Sequence, residues 1–357
     1  MRVVGQQSQE ASERSLGGGW VVRVEREQGQ DSNRDDDADG VARPPARALV
    51  GNTADECAEA AADVREQGWS LAYLLAVTTL GRDDLVLTAS SVGCPPFPTL
   101  VEAAVHGGFA GLSLWPPETY GAALEAGYRA LDLRAMLDDA NVVAYEVDAL
   151  VAWAGPGDPG EPYLQAAPRA FVLDTAAALG ARQSNAIIVG ERGTSHEAIA
   201  EVVDGMCEEA ATFGVRVGIE FARGSLVRTL ADLVAVRALL PHRDVGITVD
   251  AWQIHWGPST LEELAEVPGA AVFSVQLDDA PAVRPDDFGR ATYEGRLVPG
   301  VGAADLTGLL RALDGIGYDG PITVEAINAD LIAATDPLDL ALRLADATRA
   351  VIAQSRT

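Results

Sequence analysis

Short apolar runs rich in β-branched residues alternate with longer segments of helical periodicity from Leu85 almost to the C-terminus. Each run is bounded by Gly, Pro or charged residues, which is typical of buried strands. The predicted strands are 85–90, 111–115, 142–148, 185–190, 215–220, 245–250, 272–276 and 321–325. Because parallel strands need helical crossovers, this alternation predicts a closed (β/α)8 barrel. An open doubly wound sheet is the competing fold, but no Gly-rich phosphate fingerprint follows the first strand.

The chain divides near residue 84. Residues 28–40 form a polar tract that cannot bury enough apolar surface to become ordered. We therefore predict a low-complexity extension over residues 1–84, disordered or partly helical, and a barrel domain over residues 85–357. A start codon assigned too far upstream would produce the same pattern, so the sequence leaves open whether residues 1–84 belong to the native protein.

Composition and charge limit the kinds of partner that the protein can bind and the cellular compartment that is expected for it. A formal net charge of −27 over 357 residues argues against nucleic acid, because phosphate binding requires clustered Lys and Arg. Three cysteines show neither metal-ligand spacing nor a disulfide pattern, and the N-terminus lacks a secretion signal, so a cytoplasmic location is expected. The apolar run 71–80 is too short to span a membrane. Homo-oligomers are frequent for a barrel of this kind, but no residue pattern decides the oligomeric state.

Oxygen-bearing side chains end the last four predicted strands. They are Glu220, Asp250, Gln276 and Glu325. In a closed parallel barrel the carboxyl ends of all strands face one mouth, so these side chains should converge. Three carboxylates at one mouth repel each other and burial raises their pKa values, and a divalent cation removes both problems. Hard oxygen ligands, including the amide oxygen of Gln276, favour Mg²⁺ or Mn²⁺ over zinc.

Several motifs beyond residue 84 carry a resemblance to a known family. They are IEF at 219–221, VDAW at 249–252, VQLDDAP at 275–281, RLVPGVG at 296–302 and VEA at 324–326. The segment 85–352 resembles the xylose isomerase-like TIM barrels of the sugar phosphate isomerase/epimerase superfamily. The motifs are fairly specific for the superfamily and say little about the substrate.

The resemblance implies a ligand set and a proton-transfer pair. Members commonly hold one divalent metal with a Glu, an Asp, a His or Gln, and a Glu from the last four strands. These ligands correspond, in chain order, to Glu220, Asp250, Gln276 and Glu325. In epimerase members the two glutamates are also the acid/base pair, which implies catalytic roles for Glu220 and Glu325. The Gln version also resembles 3-dehydroshikimate dehydratases, so the implied chemistry includes elimination.

Further polar and aromatic side chains are candidates for substrate binding. Arg296 stands in the loop after the seventh strand, where the resemblance implies contacts with substrate oxygens and a loop salt bridge is the equal alternative. Glu146 and Asp148 end the third strand; Glu146 could face the mouth while Asp148 caps the loop, and structural roles are favoured for both. Trp115 follows the second strand and either walls an apolar pocket or packs in the core.

The sixth strand departs from the family pattern. Relatives often place a His three residues after the aspartate, where this chain has Gln253. The nearest histidine is His255, which is a candidate for reaching the substrate from the loop and is otherwise a surface residue. Asp278 lies two residues after Gln276 and should share its face, where it would support the metal ligands.

Three hypotheses for the function remain. The first is a divalent-metal-dependent isomerase or epimerase that removes a proton next to the carbonyl of a keto-sugar or related polyol, through a metal-stabilised enediolate. The second is a lyase of the dehydratase type, since loss of a β-hydroxyl from the same enolate gives elimination. The third is a non-catalytic barrel that binds a sugar-like small molecule, which the presence of Gln253 keeps open.

Overall fold

The computed structural model describes residues 80–154 and 167–357. The strands in these ranges are β1 Leu85–Thr88, β2 Gly111–Leu114, β3 Val143–Ala154, β4 Gln183–Gly190, β5 Arg216–Glu220, β6 Val245–Asp250, β7 Val272–Leu277 and β8 Ile322–Val324. They are parallel and pair in sequence order, and β1 also pairs with β8 to close the barrel. The predicted (β/α)8 barrel is therefore confirmed. Apart from residues 80–84, the predicted extension lies outside the described residues.

Helices connect the strands in the described part of the chain. Their bounds are α1 Phe97–Gly107, α2 Ala122–Glu125, α3 Ala130–Ala140, α4 Arg169–Leu179, α5 His196–Thr212, α6 Leu230–Ala238, α7 Ala251–Trp256, α8 Leu261–Leu264, α9 Phe288–Glu294, α10 Leu306–Gly315, α11 Ala329–Ala334 and α12 Pro337–Ser355. The sequence pattern also predicts a long loop over residues 279–304. This prediction is wrong in one respect, because the segment contains α9, whose N-cap Asp287 accepts a hydrogen bond from Arg290 N. None of these helices combines the length and apolarity needed to cross a bilayer.

Two predicted helix starts are corrected by the capping geometry. The capping-box spacing of Thr194 and Glu197 predicts that a helix to residue 213 begins there, but Ser195 is the N-cap and its side chain accepts a hydrogen bond from Ala198 N. The same spacing of Thr99 and Glu102 predicts a helix start at Thr99, whereas the helix begins at Phe97, after a proline that makes no side-chain cap. The cause is the same in both cases: several residues that can begin a helix stand together, and the sequence does not rank them.

Strand β3 is longer than predicted. The sequence pattern ended this strand at residue 148, whereas the structure continues it to Ala154. The register against β4 shifts between Val147 and Leu150, so the strict alternation of faces is interrupted there. This irregularity changes the side of the barrel toward which the residues near Asp148 project.

Side chains fill the amino-terminal part of the barrel interior. Gly246 shares the inward face of β6 with Asp250, and a Cβ added to it would lie 2.0 Å from Phe273 Cδ2. The Arg216 guanidinium lies 4.1 Å from the centroid of the Phe273 ring. We call this region the lower layer, and its members are Glu146, Gln183, Arg216, Gly246 and Phe273. Its packing closes the barrel from below and directs ligand chemistry to the carboxyl ends of the strands.

Candidate active site

The side chains that end the last four strands meet at one mouth of the barrel. Glu220 and Asp250 end β5 and β6, Gln276 lies near the end of β7, and Glu325 directly follows β8. All are buried, with exposures of 7%, 0%, 0% and 3% in that order. Asp250 and Gln276 are partners in the β6–β7 register. The structure thus brings the predicted set together, and its metal-binding role stays a prediction.

Arg296 is shared by several carboxylates at this mouth. Its Nη1 atom lies 3.0 Å from Asp250 Oδ2, 2.6 Å from Asp278 Oδ2 and 3.0 Å from Glu325 Oε2. Its Nε donates a hydrogen bond to Thr292 O at 2.8 Å. Arg296 therefore forms salt bridges, and its partners are buried carboxylates of the site rather than acids at the protein surface. Asp278 shares the face of Gln276, as predicted, and contacts the site through this arginine.

Asp148 and Asn185 join the site from the other half of the barrel. Asn185 Nδ2 donates to Asp148 Oδ1 at 3.2 Å and to Glu220 Oε2 at 3.1 Å. Gln276 Nε2 lies 3.4 Å from Asp148 Oδ2 and completes the connection. Asp148 was expected to cap a loop, and it instead lies among the candidate ligands. We call Asp148, Glu220, Asp250, Gln276, Asp278, Arg296 and Glu325 the upper layer of the barrel interior.

Negative charge exceeds positive charge in the upper layer. Burial and the charge of Asp250 raise the pKa of Glu220 to about 8. Burial raises the pKa of Asp148 to about 6 and raises the pKa values of Asp278 and Glu325 well above their ordinary range. The nearby Arg296 guanidinium opposes these increases without cancelling them. A further cation at the mouth would favour the ionised carboxylates and lower their pKa values.

The donor atoms of the upper layer fit a divalent cation. Gln276 directs its amide nitrogen to Asp148, and its Oε1 is buried without a hydrogen-bond partner in the described ranges. Within those ranges, no group of three acidic side chains lies close enough together to form a metal site by itself. Each carboxylate oxygen offers two acceptor positions, so the contacts with Arg296 and the amides leave positions for a metal. A metal here would share oxygens of Asp250 and Glu325 with Arg296.

An aromatic wall stands beside the carboxylates. Trp252 is fully buried, its backbone N donates to Asp250 Oδ1 at 2.8 Å, and its ring stacks on Phe288 with centroids 5.7 Å apart. Trp256 contacts both of these rings. On the same helix as Phe288, burial and the charge of Glu220 raise the pKa of the Tyr293 phenol to about 12. The phenol therefore lies near the carboxylates, although the residue is 41% exposed.

The amide of Gln253 holds one of the two candidate proton carriers. Gln253 Nε2 donates to Glu220 Oε1 at 3.1 Å, and Asn185 donates to the other oxygen of the same carboxylate. Each oxygen of the Glu220 carboxylate therefore accepts a hydrogen bond, and these two bonds fix the orientation of the carboxylate. The glutamine that replaces the family's usual histidine is thus a buried member of the site, in contact with Glu220.

The other residues predicted to bind substrate lie in three different parts of the barrel. They are Glu146, His255 and Trp115. Glu146 is fully buried in the lower layer, where Gln183 Nε2 donates to its Oε2 at 3.3 Å. The ring of His255 packs edge-on against Trp256, with centroids 4.5 Å apart. Trp115 follows β2 at the mouth, is half-buried, and has an Nε1 atom without a partner in the described ranges. Contacts of these residues with a substrate remain predictions.

The loop that carries Arg296 is tied to Asp279, which follows β7. The Asp279 carboxylate accepts hydrogen bonds from the backbone N–H groups of Gly300 at 2.9 Å, Gly302 at 2.8 Å and Ala304 at 3.0 Å. Its own backbone N donates to Leu297 O at 2.9 Å. Asp279 therefore holds both ends of the segment after Arg296, Leu297 through its backbone N–H and residues 300–304 through its carboxylate.

The fold and its mouth place the chain in a family. The sequence profile of the xylose isomerase-like TIM barrel matches residues 101–350. The chain belongs to this family, as the motifs around the candidate ligands predicted.

Two relatives with assigned activities show how far the similarity extends. An inosose isomerase of Bacillus velezensis is 30% identical over 163 residues, which are 43% of this chain and 56% of that protein. A 3-dehydroshikimate dehydratase of Pseudomonas putida is 29% identical over 157 residues, which are 42% of this chain and 25% of that protein. The match thus spans about half of the first relative and a quarter of the second. Both relatives are enzymes.

Solved structures agree in fold at low identity. The IOLI protein with a binding zinc atom superposes with a TM-score of 0.67 at 20% identity, covering 76% of this chain and 99% of that one. The D-allulose 3-epimerase from Methylomonas sp. in complex with D-allulose superposes with a TM-score of 0.55 at 15% identity, covering 76% and 98%. Proteins with this fold therefore include one solved with a zinc atom and a D-allulose 3-epimerase solved in complex with D-allulose.

Proposed function

We propose that this protein is a divalent-metal-dependent isomerase or epimerase of a keto-sugar or related polyol. The observation that carries the proposal is the convergence of Glu220, Asp250, Gln276 and Glu325 at one mouth, with Gln276 Oε1 buried and unpartnered in the described ranges. The oxygen-only donor set favours Mg²⁺ or Mn²⁺, although a similar structure contains zinc. The similarity to an inosose isomerase and to a ketose epimerase supports the substrate class.

Proton transfer would be carried by the two glutamates. A bound divalent ion would supply Lewis-acid polarisation of the substrate carbonyl, which acidifies the adjacent C–H. One glutamate takes that proton and leaves an enediolate, and the other returns a proton to the same carbon or its neighbour. Glu220 is preorganised for this role, since Asn185 and Gln253 hold its oxygens. Trp252 and Phe288 shield one side of the mouth from water.

A dehydratase is the second candidate, and Gln276 is the observation that favours it. The resemblance to 3-dehydroshikimate dehydratases rests on a glutamine at this position, and a relative of that name is 29% identical over 157 residues. The first step is the same proton abstraction. The enolate then expels a β-hydroxyl as water, which requires an acid near the leaving oxygen. Asp148, whose pKa burial raises to about 6, is close enough to Gln276 to act there.

Deuterium exchange separates the two candidates. The purified protein, with Mn²⁺ or Mg²⁺ added, is incubated in D2O with an inosose, a ketose and 3-dehydroshikimate, and the products are followed by NMR. Deuterium in an isomerised polyol supports the first candidate, and loss of water without such exchange supports the second. Calorimetric titration with each metal ion measures binding independently of turnover.

The Glu325→Gln variant tests the assignment of the proton carriers. We expect turnover to fall about 10²–10⁴-fold, because proton transfer by a positioned side chain contributes about that factor. The matched control is Glu208→Gln, a change of the same kind at an exposed helix position. Full activity in Glu325→Gln would contradict both enzyme candidates.

A further inference from the structure

Three arginines gather at the rim of the mouth without acidic partners. Arg223 follows β5, Arg228 precedes α6, and Arg284 precedes α9. All are exposed, and none forms an ion pair with a carboxylate in the described ranges. The chain carries a net charge of −27, so arginines grouped away from acids are against the general trend of its surface.

Two of these arginines share one aromatic ring. The guanidinium carbon of Arg223 lies 5.3 Å from the centroid of Phe288, and that of Arg284 lies 4.6 Å from it. Such contacts favour a fixed position for each cation over the ring. Asp287, the acid next to Phe288, is engaged as the N-cap of α9 and accepts from Arg290 N at 3.0 Å. The aromatic ring thus brings two like charges together where no carboxylate separates them.

The arginine pair adjoins the candidate active site. Phe288 stacks on Trp252, whose backbone N donates to Asp250. On the other side, Arg223 N lies 3.5 Å from Gln253 Oε1, and the amide of Gln253 donates to Glu220. Arg223 is therefore connected to Glu220 through one side chain, Gln253. Arg284 is connected to Asp250 through two rings, Phe288 and Trp252. These contacts place the arginine pair beside the upper layer.

The arrangement costs electrostatic free energy unless an anion is bound. Desolvation and the positive charges of Arg284 and Arg228 lower the pKa of Arg223. Several other exposed arginines in the described ranges, Arg290 among them, pair with an acid of their own helix. Guanidinium groups bind carboxylates and phosphates through paired N–H donors, and an anion between two of them removes the repulsion.

We propose that Arg223 and Arg284 form an anion subsite that binds a carboxylate or phosphate group of the substrate. This inference rests on the proposed function and specifies its substrate class as an anionic keto-polyol. Arg228 adds positive potential near the pair. The upper layer would act on the carbonyl end, while the arginine pair holds the charged end at the rim.

The test measures anion binding and turnover separately. The metal-loaded wild type, Arg223→Gln, Arg284→Gln and the double variant are titrated calorimetrically with inorganic phosphate and with shikimate, a carboxylate probe. Arg290→Gln is the matched control, because this exposed arginine lies on α9 and pairs with Glu294. We expect the dissociation constant of the anion that fits the subsite to rise at least about tenfold in the double variant and to stay unchanged in the control. Whichever probe shows this loss identifies the source as carboxylate or phosphate.

Kinetics then separate this inference from the proposed function. If the anion subsite exists, the double variant raises KM for an anionic ketone more than tenfold and raises KM for an uncharged inosose by a clearly smaller factor. Anion binding that is equal in the wild type and the double variant overturns the subsite, whatever the activity. Loss of anion binding in the variants, with no turnover of any substrate by the wild type, supports the subsite and counts against the enzyme proposal.

Discussion

The two layers of the barrel interior both bury carboxyl groups, but these carboxyl groups contact different kinds of partner. In the upper layer, Arg296 bridges oxygens of Asp250, Asp278 and Glu325. In the lower layer, Glu146 has an amide partner in Gln183, and burial and the charge of Asp148 raise its pKa to about 7. The upper carboxyl groups therefore contact a cation that opposes the effect of burial on their pKa values, whereas Glu146 has an amide partner and no ion pair in the described ranges.

This difference separates a binding site from a packed interior. A carboxylate that is kept ionised retains lone pairs for a metal ion or for a substrate proton. Glu146 lacks a cation of this kind in the described ranges, and it lies in the lower layer beside Gln183 with a pKa that burial raises to about 7. Burial alone thus does not distinguish the two layers, whereas contact with an internal counter-cation does.

Removing the cation of the upper layer should produce the largest effect on stability. In Arg296→Met, buried carboxylates lose their partner, so we expect the free energy of unfolding to fall by about 3–5 kcal/mol without added metal. Saturating Mn²⁺ or Mg²⁺ should restore part of the loss, because the ion replaces the missing positive charge. Urea unfolding with and without metal measures both quantities.

The control for that prediction is Arg290→Met, which removes an exposed arginine from its pair with Glu294. A surface pair of this kind contributes little, so its effect should be below about 1 kcal/mol. If Arg296→Met were as stable as the control, the carboxylates of the upper layer would not depend on the cation, and the contrast between the layers would be lost.

Removing the titratable group of the lower layer should stabilise the protein at high pH. The pKa of Glu146 is raised from 4.5 to about 7, so the folded state binds more protons than the unfolded state between these values. Stability is then lost as pH rises from about 4.5 to about 7 and stays lower above it. Glu146→Gln removes this loss, and we expect a gain of about 3 kcal/mol at pH 8 and almost none at pH 4.

Urea unfolding across this pH range compares Glu146→Gln with the wild type. Glu102→Gln, the same change at an exposed position of α1, is the matched control. An equal stability difference at pH 4 and pH 8 would show that Glu146 does not change its protonation in the lower layer, and the two layers would then not differ in the way described.

Overfilling the lower layer should have the smallest effect of the three. A Cβ on Gly246 would lie 2.0 Å from Phe273, so Gly246→Ala must displace the ring and should destabilise by about 1–3 kcal/mol. The control, Gly205→Ala, adds a Cβ to α5 where nothing lies within 4 Å, and should stabilise by about 0.5–1 kcal/mol. Thermal unfolding measures both. A neutral Gly246→Ala would mean that the lower layer is loosely packed.

The regular strands explain how much could be predicted from the sequence. Glu220 and Asp250 end continuous β-branched runs, so their place at the mouth followed from the strand pattern and the barrel topology. Asp148 was misjudged, since a register shift in β3 breaks the alternation on which such reasoning depends. Its signal was present, as it is another acid near the end of an apolar run.

Contacts between distant segments were beyond the sequence. Arg296 was recognised as a candidate, but its simultaneous contact with acids of β6, β7 and β8 depends on how the loop folds back. Tyr293 was missed because α9 lies in a segment that looked like a structureless loop. The lower position of Glu146 was also not predictable, because the depth of a residue in a barrel depends on strand stagger rather than on strand periodicity.

The attachment of residues 296–304 to Asp279 has a practical consequence for protein engineering. Since one carboxylate fixes Gly300, Gly302 and Ala304, this segment can be transplanted as a unit, with its arginine already in place. The neighbouring α9 carries Phe288 and Tyr293 and contacts Arg296 through Thr292 O. A combinatorial library that varies residues 288 and 293 and keeps Thr292 and Asp279 would change the rim of the mouth while retaining the contacts that hold Arg296.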